Sequence, residues 1–159
     1  RGNVLIISSI FMAMFLIVLL LVVAIFLSHI NSILYNFKLD VYSLAKSGII
    51  AVNKNRANTG AFSYDAKIYK KELEKALKDN YDLDDTMTNI EKLISKVIIN
   101  ECQIYRDGQR DTYTNEKCDD VTLHIVLNVK IKPIILKSYL EKIFTFEIHE
   151  DVNLNPLKM

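Results

Sequence analysis

Hydrophobic positions along the chain change period three times, and each period predicts a different element. From Val4 to Leu27 the sequence is VLIISSIFMAMFLIVLLLVVAIFL, with no charge, no Pro and no Gly. Ser8 and Ser9 are the clearly polar residues, and a helical hydroxyl can bond back to a carbonyl one turn earlier. A bilayer core takes about 20 apolar residues in a helix. The run therefore predicts one transmembrane helix over residues 1–29, including its short N-terminal flank. Its length exceeds a secretion signal's apolar region, and Ser28-His29-Ile30-Asn31 offers no small-residue cleavage pattern.

Beyond it the pattern thins to a stripe. Ile30, Leu34, Phe37, Val41 and Leu44 recur at three-four spacing, and Ile49 and Val52 extend them. Asn31, Asn36, Lys38, Asp40 and Lys46 occupy the other side. This predicts one helix from about Val4 to Asn53, apolar all round at first and amphipathic later. Asn53–Gly60 (NKNRANTG) reads as a stop and loop. Ser63 or Asp65 can cap a second helix over Ala66–Asn80, with Tyr69, Leu73, Ala76 and Leu77 on one face and Glu74 one turn before Lys78.

The period then drops to two. Val97–Tyr105 is β-branched and partly alternating, Arg106-Asp107-Gly108-Gln109 is a turn, and Arg110–Cys118 reads as a short polar edge strand. In Val121–Lys132, Val121, Leu123, Ile125, Leu127, Val129 and Ile131 face one way. Thr122, His124, Asn128, Lys130 and Lys132 face the other, with Val126 the exception. Pro133 ends this strand. Ile90–Ile94 reads as a helical turn, and Leu136–Ile143 as a helix or a loop. Phe144, Phe146 and Ile148 begin a last strand that continues through Val152 and Leu154. The expected fold is α+β: a long N-terminal helix, transmembrane then amphipathic, packed on a small antiparallel sheet. Residues 30–159 form the domain.

Composition narrows the function classes. The 159 residues carry a formal net charge of +1, and that balance points neither to nucleic acid nor to an acidic substrate. Four scattered glycines do not make a phosphate-cradling loop. No nucleophile–base–acid set can be assembled, so no enzyme is expected. His29, His124 and His149 lack close metal-ligand spacing, and two of them fall on outward strand faces, so neither a metal site nor a cofactor is expected. The acidic groups around Asp82 and Asp119 read as solvated turns. Cys102 and Cys118 flank the predicted turn; a bridge between them and two free thiols stand as equal alternatives, decided by strand register.

An uncharged N-terminal helix running into an amphipathic one on a small sheet resembles a type IV pilin or pseudopilin. Arg1-Gly2 directly before the apolar run resembles the TadE-like pseudopilins of the tight-adherence pilus machinery, as do Tyr35–Asn53 and the ending FTFEIHEDVNLN (Phe144–Asn155). The resemblance implies a prepilin peptidase cut after Gly2, leaving Asn3 first. It also implies partner pilin or pseudopilin subunits held through the N-terminal helix, and a domain displayed outside the cell membrane. In this family a Glu at the fifth mature position sets filament register; Ile7 stands there. That departure implies a minor or initiating component of the pilus or secretion assembly rather than its repeating subunit. The competing expectation is a single-pass anchored extracytoplasmic binding or sensor domain.

Overall fold

The computed structural model describes residues 2–56, 65–132 and 144–154. The chain is α+β, in the order α1 (Gly2–Arg56), α2 (Ala66–Tyr81), β1 (Ile94–Tyr105), β2 (Thr122–Ile131) and β3 (Thr145–Asn153). It divides into two units, Arg1–Phe37 and Lys38–Met159. The first is the apolar part of α1. Its large side chains from Ile6 to Ile25 are exposed around the whole helix, and the helix is long and apolar enough to cross a membrane.

In the second unit the remainder of α1 is amphipathic as expected. Val41, Ala45, Ile49 and Val52 are buried, at steps of four, four and three. The helix runs past the expected stop at Asn53 to Arg56. Helix α2 starts where Asp65 accepts the Lys67 N–H at 3.0 Å, and it ends on Asp82 in the left-handed region (φ 51°). It buries Tyr69, Leu73 and Leu77. Hydrogen bonds join the helices: Tyr81 Oη donates to Asp40 Oδ2 at 2.5 Å, and Tyr69 Oη to Asn53 Oδ1 at 3.3 Å. Lys78 reaches Asp85 (3.1 Å) rather than Glu74 one turn back, because the loop after α2 folds alongside it.

The sheet is antiparallel in the order β1-β2-β3, so β2 is central. Its inward residues are those the alternation predicts: Leu123, Ile125, Leu127, Val129 and Ile131, all at most 1% exposed. Strand β1 alternates only in part because its inward set changes phase. Val97 and Ile99 lie opposite Val129 and Leu127, whereas Cys102 and Ile104 lie opposite Ile125 and Leu123. The bulge between Ile99 and Glu101 absorbs the one-residue slip, leaving Asn100 without a partner in β2. Helix α2 lies against β1, where Lys70 Nζ donates to the Ile99 carbonyl at 3.3 Å.

Three expectations are corrected. β1 begins at Ile94, so Ile90–Ile94 is not a helical turn; residues 90–93 bend, and the Leu93 carbonyl accepts the Lys132 N–H. Arg110–Cys118 does not join the sheet. It closes on itself through an isolated Arg110–Lys117 bridge, with Asn115 in the left-handed region at its tip. β3 begins at Thr145 and ends at Asn153. The expected Leu136–Ile143 segment and residues 57–60 of the expected Asn53–Gly60 loop lie outside the described residues, as does Ser63.

Glu150 departs from the apolar rule of the inward face. It lies opposite Ile125, its side chain is 10% exposed, and Lys38 Nζ is 3.3 Å from its Oε1. Burial pushes its carboxyl above the ordinary 4.5, and Lys38 offsets this only in part. The folded chain therefore holds this proton more tightly than the unfolded chain. Stability contributed by the site falls as pH rises from about the ordinary carboxylate value through the raised one. Glu150→Gln should flatten this fall, so the variant's melting temperature should gain on the wild type from pH 4.5 towards neutrality. Parallel pH profiles for the two proteins would count against it.

Candidate functional site

β2 is buried on both faces along Leu123–Leu127, including His124 at 1% exposure and Val126 at 7%. A strand so placed needs a second cover, and the segment from Arg106 to Val121 supplies it. The expected turn forms: Gly108 takes φ 77°, and Gln109 N–H donates to the Arg106 carbonyl. Residues 109–118 then make a small hairpin, with Cys118 N–H donating to the Gln109 carbonyl at 2.8 Å. Tyr113 on this hairpin stacks on His149 of β3, with ring centroids 3.5 Å apart and planes within 13°. Tyr105 Oη pairs with Thr112 Oγ1 at 2.7 Å.

Under this cover sits a buried polar group. His124 Nδ1 lies 2.7 Å from Asp151 Oδ1 and 3.3 Å from Asp111 Oδ2. The register places Asp151 directly opposite His124 on the outer face, and the hairpin brings Asp111 from above. Asp111 is 4% exposed and held by its other oxygen: Oδ1 accepts the Tyr113 N–H at 2.5 Å and the Thr114 N–H at 3.2 Å. Burial works to raise the Asp111 pKa, but these N–H groups, His124 and Asp151 outweigh it and hold the carboxyl below the usual carboxylate range. Tyr105 meets the His124 ring edge-on at 5.6 Å. His149, with Nε2 3.0 Å from Glu147 Oε1, is the next ring out; its buried Nδ1 makes no hydrogen bond among the described residues.

The fold thus unites residues that sequence spacing sets apart. His124 is on the outward side of β2, as the alternation predicts, but that side is covered. The legible signal was Val126, an apolar residue on the side assigned to water, with Tyr113 available to cover it. Asp111 and Asp151 carried no signal.

The other expected site residues do not join this group. α1 begins at Gly2; Asn3 and Ile7 are exposed on its first turns, and Ile7 is 54% exposed. His29 is exposed. Cys102 and Cys118 are both free. β1 places Cys102 on the inward face opposite Ile125, with Sγ 3.7 Å from the Ala66 carbonyl, whereas Cys118 belongs to the covering hairpin. Burial pushes the Cys102 thiol up to about 11, so it stays protonated and inert at neutral pH.

No protein-family model, no curated protein and no solved structure matches the chain.

Proposed function

We propose that the chain is a pilin-like, membrane-anchored structural component of a type IV-like or tight-adherence assembly, in a minor or initiating role. The observation that carries this is the two-part character of α1. Its first part exposes an apolar surface from Ile6 to Ile25, and its later part buries one stripe in an α+β domain. Water cannot hold an apolar surface of that extent, so lipid and the apolar helices of other subunits are its natural surroundings. The helix then serves twice, as an anchor before assembly and as a packing element within it. The α+β domain is displayed outside the cell membrane. Ile7, where a register carboxylate is expected, favours a component used once over one repeated along a filament.

The test is to exchange Val4–Leu27 for an unrelated apolar helix of equal length. The exchanged chain should remain in the membrane fraction but disappear from sheared surface filaments and fail to support their formation. Normal filament formation would favour the second reading, an anchored extracytoplasmic binding domain. The buried Asp111–His124–Asp151 group favours that reading, since it is more polar than a structural sheet needs.

A further inference from the structure

We infer that Asp111, His124 and Asp151 form a binding site for one divalent transition-metal ion, best suited to zinc, that staples the 109–118 hairpin to the sheet. The inference is independent of the filament reading. One ligating atom from each residue lies within 4.8 Å of the other two. Around an ion with bonds of about 2.0–2.2 Å, tetrahedral donors stand about 3.4 Å apart. His124 Nδ1 and Asp111 Oδ2 already stand at 3.3 Å. The 2.7 Å between His124 Nδ1 and Asp151 Oδ1 needs only a small outward movement of Asp151, whose side chain is 43% exposed and has room to make it.

The remaining features suit a metal more than a plain ion pair. Two carboxylates facing one imidazole leave a net negative charge at a group two-thirds of which is deeply buried, and a dication neutralises it. The Asp111 carboxylate is oriented by two backbone N–H groups on the oxygen that would not bind, which is how outer-shell contacts fix a ligand. An imidazole nitrogen with two carboxylate oxygens fits zinc, cobalt or nickel. Calcium and magnesium take oxygen donors in larger number. Three protein donors leave a fourth position for water.

The experiment uses the full chain in detergent micelles, stripped with chelator, and titrated with Co²⁺ and then Zn²⁺. We expect one Co²⁺ per chain, with the visible absorption of a low-coordinate site, displaced by equimolar Zn²⁺. Mg²⁺ and Ca²⁺ should not compete. Asp151→Asn, at a partly exposed position and therefore expected to fold, should weaken binding at least 10-fold, with circular dichroism confirming the fold. His29→Ala should leave binding unchanged. Absence of saturable 1:1 binding would overturn the inference. So would equal affinity in the wild type and Asp151→Asn, or loss of binding in His29→Ala.

Discussion

Replacing His124 by Ala should destabilise the α+β domain by about 3–5 kcal/mol in chelator, the scale for stripping a buried charge of its partner. His124 is 1% exposed and sits between two carboxylates, one of which, Asp111, is itself 4% exposed. Without the imidazole, Asp111 keeps its two backbone N–H contacts but faces a cavity on its other oxygen. It cannot turn to water, because the hairpin that carries it also covers it. Asp151 is different: its side chain is 43% exposed and water can replace the lost partner. Asp151→Asn should therefore cost no more than about 1 kcal/mol. Urea unfolding of the three proteins would compare them. A second test joins His124→Ala to Asp111→Asn, which should recover part of the loss because the stranded charge is gone. A His124→Ala cost below that of Asp151→Asn would mean the group does not hold the cover in place.

Leu127→Ala should cost about 2–5 kcal/mol, the range for deleting a buried leucine's methyl groups and leaving a cavity. Leu127 is fully buried in the central strand, opposite Ile99 in β1 and Ile148 in β3, both buried. Neither neighbour can move in to fill the space without breaking its own ladder, so the site will relax little. Ile98→Ala is the control. Ile98 lies in β1 on the outer side and is 42% exposed, so its loss should stay within about 1 kcal/mol. The same denaturation measurement reads both. Equal costs would mean that the inward face of the sheet is not the principal core.

Particular residues show how far the fold was legible before the structure. The span to Leu27 and the stripe at Val41, Ile49 and Val52 were readable because helical period is a local property of the chain. Tyr69, Leu73 and Leu77 in α2 were readable for the same reason. So were the inward residues of β2, since strict alternation states which side each side chain takes. β1 was only half readable. Val97 and Ile99 set one phase and Cys102 and Ile104 the other, and without the partner strand the slip at Asn100 looks like noise.

His124 marks the limit. Its side of β2 was assigned correctly and its surroundings were not. Alternation says that a residue faces away from one core, not that it faces water. The nearly continuous apolar character of Leu123–Leu127 hinted at cover on both sides, as strands buried on two faces read this way. It did not say what the cover was. Arg110–Cys118, polar and turn-rich, resembles an edge strand in composition, and nothing local directs it over the sheet.

The sequence by itself therefore determined the apolar span, the amphipathic turns that follow it, the α+β class and the inward face of the central strand. Those properties rest on periods of two or 3.6 residues, which a few neighbours suffice to express. Only the tertiary structure decided that Asp151, 27 residues from His124, would meet it across the β2–β3 ladder. Only it decided that the hairpin would lower Asp111 onto the pair and keep Cys102 on the other side of the sheet from that group. Such meetings depend on strand register and loop path, and these are set by the packing of the whole domain rather than by any stretch of it.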